Sequence, residues 1–372
     1  MVARLTLDEL RRSTLRRQFP VIRGHGPEAV LELVERLGPI QSQVPRAPFL
    51  TASSRLPGVS YAVLNGLFAE HRLVKASTLR GTVHTSTGSS FAAVDAVARR
   101  TRAAPMAKAF GSTVADPAAV IAEVELLCAD RWVHRDEVVA HARARWPGIA
   151  PAATTGADGY LWGHSGLLRR PHDGAWEKRT DVQRRTAAAL LDRGPEEDPD
   201  AALRDLVRRH LAAYGPVLRD DLVFFFGASV RSINAALTAL GEQVVRLPGP
   251  DGLDYLDLAE PPIDGLDDPG VRLLPEFDGL LLGFAGRHRH RFVDSAQLAR
   301  IWARVNGMFS PVVLHEGRLV ATWKTTGPAT RTRVDVTMLD PYPLLREDQL
   351  DAAVADTALA LGLAVVDVAI GR

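Results

Sequence analysis

The stretch that decides the fold is Val244-Val245-Arg246-Leu247-Pro248-Gly249-Pro250-Asp251-Gly252-Leu253-Asp254-Tyr255. A β-prone pair and an arginine lead into a proline, an Asp-Gly turn follows, and a second run carries an aromatic residue. Asp-Gly between two such runs is a strong signal for a β-hairpin. Helical patterns at 200–213, 218–225 and 229–240 precede it. Helices followed by a two-stranded wing are typical of a winged helix, which this segment therefore predicts.

The same order of elements occurs twice more, upstream. Residues 167–176 resemble the hairpin segment, with Asp-Gly again at the turn, and helical patterns at 117–129 and 134–145 precede them. A more diverged copy comes near the front of the chain: helices at 27–37 and 59–70, then paired segments at 73–77 and 82–86. Three small modules of similar order predict a tandem array.

After about residue 270 the pattern changes to short strands. The predicted elements are apolar runs at 273–278 and 280–284, a hairpin of 311–314 with 319–324, a strand at 334–339, a helix at 347–361 and a strand at 364–370. The predicted fold class is α+β: three tandem winged-helix modules followed by a C-terminal β-rich, barrel-like domain. The predicted domains are 1–110, 111–195, 196–262 and 263–372, with linkers at 194–199 and 260–269.

Composition places the chain among ordinary globular proteins. Of its 372 residues, 46% are hydrophobic and 24% are charged. A single cysteine, Cys128, excludes an intrachain disulfide framework and a cysteine-based zinc site. No apolar run is long enough to span a bilayer, and the first residues lack the apolar core of a signal peptide. We therefore expect a cytoplasmic protein.

The formal net charge is only +1, but the basic residues are segregated. Arg287-His288-Arg289-His290-Arg291 forms a compact run, and Lys324, Arg331 and Arg333 lie close together. Such patches can steer a protein toward phosphate; solvated faces of ordinary helices are the alternative. The two histidines of the run lack a neighbouring carboxylate or cysteine in ligand spacing, so a phosphate-facing basic hairpin is favoured over a metal site. Neither a phosphate-cradling glycine loop nor a serine nucleophile elbow is present.

A second informative segment is Gly38-Pro39-Ile40-Gln41-Ser42-Gln43-Val44-Pro45-Arg46-Ala47-Pro48. Its three prolines restrict the backbone on both sides of an amide pair, Gln41 and Gln43. Amides that are held in place need hydrogen-bond partners, which makes the pair a candidate site. The alternative is a structural loop whose amides satisfy backbone groups.

Taken in order along the chain, several segments resemble the AlkZ/YcaQ family of bacterial winged-helix DNA glycosylases. They are Gln41-Ser42-Gln43, Leu79-Arg80-Gly81-Thr82-Val83-His84, Tyr160-Leu161-Trp162-Gly163, His210-Leu211-Ala212-Ala213-Tyr214-Gly215-Pro216, Leu274-Pro275-Glu276-Phe277-Asp278 and Gly317-Arg318-Leu319-Val320-Ala321-Thr322-Trp323-Lys324. The family's catalytic motif is Gln, an apolar residue, then Gln or Asp, so the resemblance implies that Gln41 and Gln43 are catalytic. Ser42 departs from the apolar middle position.

The resemblance implies a monofunctional, metal-independent glycosylase that excises N7-alkylated purines and leaves an abasic site, with no cofactor. A base alkylated at N7 is cationic and departs without a proton from a general acid. Amide oxygens directed at C1′ can stabilise the developing charge and orient a water. We expect Gln43 to orient the water and Gln41 to support the sugar and the water. No lysine lies near the motif that would suggest a lyase step. The Gln-x-Gln form resembles the branch associated with self-resistance to alkylating antibiotics, including bulky adducts and interstrand cross-links.

The expected partner is double-stranded DNA carrying N7-alkylpurines, and we expect a monomer without a membrane partner. The predicted DNA contacts are Arg80, His84, Arg287, His288, Arg289, His290, Arg291, Lys324, Arg331 and Arg333. For His84 a core position is an equal alternative, and Trp162 is interpreted as core rather than as a platform for the lesion. The alternative function is a winged-helix DNA-binding regulator without catalysis, and a third is a protein-binding scaffold.

Overall fold

A computed structural model describes residues 4–151, 153, 156–191, 198–303 and 307–372 as a mixed α+β protein. The helices are α1 (Leu7–Gln18), α2 (Pro27–Leu37), α3 (Ala47–Arg55), α4 (Tyr61–Ala69), α5 (Phe91–Phe110), α6 (Pro117–Leu127), α7 (Arg135–Arg145), α8 (Ala157–Trp162), α9 (Ala187–Leu191), α10 (Pro199–Tyr214), α11 (Arg219–Phe226), α12 (Val230–Leu240), α13 (Gly279–Leu282), α14 (Ser295–Ile301) and α15 (Glu347–Leu361). Single 3-10 turns occur at Leu79–Gly81, Gly241–Gln243, Gly286–Arg291 and Ala329–Arg331.

The strands form two larger sheets and two short pairs. They are β1 (Ile40–Gln41), β2 (Leu73–Ser77), β3 (Val83–Thr87), β4 (Val133–His134), β5 (Leu167–Arg170), β6 (Gln183–Thr186), β7 (Val244–Pro248), β8 (Asp254–Leu258), β9 (Arg272–Leu274), β10 (Trp302–Ala303), β11 (Met308–Phe309), β12 (Val312–His315), β13 (Arg318–Thr326), β14 (Thr332–Met338) and β15 (Val365–Gly371). The pair β7–β8 is the hairpin predicted from the opening stretch, with Val244 opposite Leu258 and Pro248 opposite Asp254. That prediction is confirmed.

The first large sheet joins strands from the first two predicted modules in the order β1-β3-β2-β5-β6-β4. Its strands are antiparallel, and β2 meets β5 where Ala76 lies opposite Leu168. The two predicted wings are therefore neighbouring parts of one continuous sheet, whose edge strands are β1 and β4. The order of helices and hairpins agrees with the predicted series, while the division into tandem winged-helix modules stays a prediction.

The position predicted for the second strand of the second wing is wrong. Strand β5 pairs with β6, and Trp176, which was expected in that strand, lies in the loop between them. Trp176 is only 4% exposed and stacks on Phe68 of α4, with ring centroids 5.1 Å apart. Burial of the indole against another aromatic ring stabilises the loop in this position.

The C-terminal sheet has the order β15-β14-β13-β12-β9. The predicted barrel-like closure is wrong, because in the described part of the chain β9 and β15 are open edges. Strand β15 runs parallel to β14, and a parallel neighbour requires a crossover, which α15 provides. The run 280–284 was predicted as a strand, but its residues 280–282 lie in helix α13, which the Asp278 carboxylate caps by accepting from the Leu280 N–H.

Hydrophobic clusters cross the predicted domain bounds. One unites Phe19 with Val207 and Leu314, and another unites Leu33 with Val313 and Leu350. The N-terminal helices and the C-terminal sheet therefore share cores, while the predicted bounds themselves stay a prediction. The predicted linker at 194–199 lies mostly outside the described residues.

Among the described residues, no single helix has both the length and the apolar character to cross a membrane. The helices at 219–226 and 230–243 pass such a test only as a pair and are bent by 117° at their junction.

Candidate active site

The Gln41-Ser42-Gln43 segment lies at the edge of the first sheet. Gln41 ends β1 opposite His84 of β3, and the Ser42 N–H extends the pairing by donating to the Val83 carbonyl at 2.7 Å. Because side chains alternate along a strand, Gln41 shares a face with His84, and Ser42 points to the other. Pro45 and the start of α3 follow at once, so the backbone of the segment is restrained at both ends.

Ser42 has partners that explain a hydroxyl at this position. Its side chain is 2% exposed, and its Oγ lies 2.9 Å from the Ile40 carbonyl oxygen and 2.7 Å from Oγ1 of Thr85. A buried hydroxyl with two partners avoids the cost of an unsatisfied polar group. The departure from an apolar middle residue is therefore accommodated locally by Thr85.

Each glutamine amide is oriented by one N–H donor. Oε1 of Gln41 accepts from Nη2 of Arg80 at 2.7 Å, and Oε1 of Gln43 accepts from the Val83 N–H at 3.2 Å. An N–H donor bonds to the oxygen of an amide, so the oxygen of each glutamine faces its donor. The NH₂ group of each amide lies on the side away from that donor. Gln43 is exposed and Gln41 is half-buried. The segment thus presents the accessible amide of Gln43 beside the half-buried amide of Gln41, which is bound by Arg80.

Behind Gln41 lies a small enclosed cavity of about 20 Å³. Gln41, Arg80 and His84 of the site contribute to its polar lining, together with Gln18, Thr51, Arg55 and Tyr214. A volume of this size accommodates about one water molecule.

His84 is an interior, uncharged imidazole. It is 2% exposed, and its Nδ1 lies 3.1 Å from both the Thr78 hydroxyl and the Thr82 carbonyl oxygen. Burial, and next the positive charge of Arg80, lower the pKa of His84 to about 3. At neutral pH this residue is therefore not an imidazolium that could protonate a leaving base.

Lys75 lies beside the segment, which sequence reasoning missed. Its Nζ donates to the carbonyl oxygen of Pro45 at 3.0 Å and to that of Trp176 at 2.5 Å, and it sits 4.8 Å from the Phe68 ring centroid. Burial lowers the pKa of Lys75 to about 7. The ammonium is enclosed and supports the turn after Gln43. The prediction that no lysine lies near the motif is therefore wrong, because the fold brings Lys75 next to the segment from a distant position in the sequence.

The basic run at 287–291 is the 3-10 turn Gly286–Arg291, so the predicted basic hairpin is wrong. His288, Arg289 and Arg291 point inward. Nδ1 of His288 lies 2.7 Å from the buried Asp221 carboxylate, and Nε of Arg289 donates to the Leu281 carbonyl at 3.0 Å. These side chains hold neighbouring elements together, because a buried charge needs partners that compensate for lost water.

Arg291 is held in the same way and the two remaining residues of the run face outward. The Arg291 guanidinium donates to the Thr14 hydroxyl at 2.6 Å and to the Pro216 carbonyl at 2.9 Å. Arg287 and His290 are exposed, although Arg287 is paired with Asp220. Within this run, only those two side chains have a surface to offer DNA in this arrangement.

Three further predicted DNA contacts lie on the β13–β14 hairpin. Lys324, Arg331 and Arg333 are exposed. Arg333 is paired with Asp335 at 2.7 Å and with Asp367 at 3.2 Å, which partly neutralises it. The hairpin therefore presents Lys324 and Arg331 as its less restrained cations, and their contact with DNA stays a prediction.

Trp162 is half-buried against a hydrophobic cluster in the second predicted module, and the guanidinium of Arg184 lies 5.3 Å from its ring centroid. This placement agrees with a core role.

A protein-family model and a solved structure each match most of the chain. A family model described as DNA glycosylase AlkZ-like matches residues 34–360. Among solved structures, the Streptomyces sahachiroi DNA glycosylase AlkZ matches with a TM-score of 0.81 at 20% sequence identity, covering 99% of this chain and 100% of that one. No curated protein matches the chain by sequence. The structural likeness shows a shared fold. The family model shows that the chain belongs with the AlkZ-like DNA glycosylases.

Proposed function

We propose that this chain, which belongs to the AlkZ-like DNA glycosylase family, excises N7-alkylated purines by attack of a water at C1′. Membership in this family makes the protein a DNA glycosylase, an enzyme that acts on DNA. The alternative of a DNA-binding regulator without catalysis is thereby excluded. The observation that carries the finer proposal is the pairing of two oriented, uncharged amides, Gln41 and Gln43, with an imidazole, His84, that is neutral at physiological pH.

This set of groups suits a leaving base that needs no proton. An N7-alkylated purine carries a positive charge in DNA and leaves as a neutral molecule when its glycosidic bond breaks. The transition state then resembles an oxocarbenium ion at C1′. Preoriented dipoles stabilise such developing charge without titrating.

The two glutamines differ in access, which supports different roles. Gln43 is exposed and can reach the sugar and the attacking water. Gln41 is half-buried and held from behind by Arg80, which suits support of the sugar and the water. Each amide oxygen uses one lone pair on a protein N–H and retains a second, with which it can accept a hydrogen bond from water.

The exposure of Gln43 also supports action on bulky adducts. A lesion that is too large to enter an enclosed pocket cannot be extruded in the usual way. An amide at a sheet edge is reachable without extrusion, so we extend the proposal to bulky adducts and interstrand cross-links.

The direct test uses duplex DNA containing one N7-methylguanine. We expect release of free base and an alkali-labile site with the wild type, and losses of about 100-fold with Gln43→Ala and Gln41→Ala. Gln243→Ala, at an exposed glutamine in the turn before β7, is the matched control and should retain full activity. Absence of release by the wild type would reject the substrate class. Equal release by the wild type and both site variants would move the site elsewhere.

A further inference from the structure

The guanidinium of Arg80 connects the candidate active site to the third predicted module. Its Nη2 donates to Oε1 of Gln41 at 2.7 Å, and its Nη1 donates to the Phe225 carbonyl at the end of α11. These two acceptors belong to segments about 180 residues apart in sequence, since 225 − 41 = 184. A planar guanidinium can hold two such acceptors in a defined relative orientation.

The backbone around Arg80 is shaped for this position. Arg80 has φ +55° and ψ +10°, a left-handed conformation that a residue with a side chain seldom adopts. Gly227, in the turn between α11 and α12, lies against it, and a Cβ on that glycine would come within 3.3 Å of Cγ of Arg80. Such strain is retained where the surrounding structure requires it, commonly at functional sites.

Arg80 also depends on Gln41. Its charge lies over the rings of Phe224 and Phe225, 5.0 and 5.5 Å from their centroids, and burial, followed by the nearby charge of Arg289, lowers its pKa to about 10. No carboxylate pairs with it among the described residues. The acceptors for this half-buried cation are therefore neutral carbonyl oxygens, one of which is that of the Gln41 amide. Hydrogen bonds from a charged donor are stronger than those between neutral groups.

We propose that Arg80 is a positioning residue that orients the Gln41 amide for catalysis, rather than a residue that contacts DNA phosphate. The proposal rests on the proposed function, in which Gln41 supports the sugar and the attacking water. The contact keeps Oε1 of Gln41 directed toward the guanidinium and prevents rotation of the amide. Through the Phe225 carbonyl, the same guanidinium ties this orientation to α11 and the turn at Gly227.

The test compares Arg80→Met with Arg102→Met. Arg102 is a matched control, because its guanidinium also donates to two carbonyls, those of Ser77 and Gly163, and also lies over an aromatic ring without touching Gln41. Single-turnover excision and duplex affinity are measured separately. We expect R80M to slow excision by about 10- to 100-fold with duplex affinity changed less than about twofold. R102M should leave both values near those of the wild type. Arg80→Lys, which keeps a cationic N–H donor group without the planar fork of the guanidinium, should recover part of the rate.

The decisive measurement is the double variant. If Arg80 acts through Gln41, R80M adds no further loss to Gln41→Ala, because the amide that it positions is gone. A full multiplicative loss in that background would overturn the proposal and indicate a general structural role. Weaker duplex binding with a shallower salt dependence and an unchanged excision rate would instead show a phosphate contact.

A readout without activity separates this proposal from the proposed function. The side-chain NH₂ resonances of Gln41, identified by their loss in Gln41→Ala, should shift in R80M and R80K and stay in place in R102M. Unmoved resonances in R80K, the milder variant, would overturn the contact even if R80M does not fold. If the wild type releases no N7-methylguanine, the substrate proposal fails, and the resonances still decide whether Arg80 orients Gln41.

Discussion

Acidification should destabilise this protein through two histidines that are buried in the uncharged form. His84 and His210 are 2% and 3% exposed, and burial lowers the pKa of each to about 3. The His210 ring is packed against those of Tyr214 and Phe225, with centroids 4.5 and 4.4 Å away. Burial removes most of the water that would hydrate an imidazolium, so protonation in the folded state costs free energy.

The direction and size of the effect follow from linkage. An unfolded chain takes up a proton on each histidine near pH 6.5, whereas the folded chain does so only near pH 3, so the unfolded state binds more protons between these values. The free energy of unfolding is therefore retained above about pH 6.5 and falls as the pH decreases toward 3. At pH 5 the loss is about 2 kcal/mol per histidine, from ~1.36 kcal/mol per pH unit.

Urea unfolding followed by circular dichroism at pH 7, 6 and 5 tests this, with His210→Phe as the probe. Phenylalanine suits an aromatic site and cannot titrate, so the variant should lose about 2 kcal/mol less than the wild type between pH 7 and pH 5. All other titrating groups cancel in that comparison. A parallel loss in both proteins would refute the assignment of His210 as a buried neutral imidazole, and no loss in the wild type would refute both assignments.

Three further predictions concern the site and its support. Ser42→Ala should destabilise by about 1–2 kcal/mol in urea unfolding, because the Thr85 hydroxyl loses its partner, and combining it with Thr85→Val should cost less than the sum of the single changes. Lys324→Ala should reduce the slope of log affinity against log salt by about 1 in duplex titrations, and an unchanged slope would remove it from the DNA interface. Asp278→Ala should lower the free energy of unfolding by about 3–5 kcal/mol, because it leaves the Arg55 guanidinium buried without its carboxylate at 3.0 Å; a loss below 1 kcal/mol would contradict this.

Elements with strong local signals were predicted with their bounds. The helix at 27–37 is Pro27–Leu37, the strand at 73–77 is Leu73–Ser77 and the helix at 347–361 is Glu347–Leu361. In these segments the apolar spacing, a proline at the first helical turn or a β-prone run agrees with the tertiary environment. The strand predicted at 280–284 is wrong, because four apolar residues fit a buried helix as well as a buried strand. The N-terminal cap at Asp278 favours the helix.

The sequence by itself determined the family, the order of most elements and the amide pair, because motif order and proline spacing are properties of the chain itself. The three prolines around Gln41 and Gln43 restrict the backbone whatever surrounds it. Tertiary structure alone decided which charged side chains contact the segment that carries this pair. Arg80 and Lys75 reach the segment across about 30 to 40 residues, and Arg289 and Arg291, expected on the surface, lie inside. Whether a cation is buried depends on the carbonyls and carboxylates that replace its water, and distant parts of the chain supply those partners only in the folded protein.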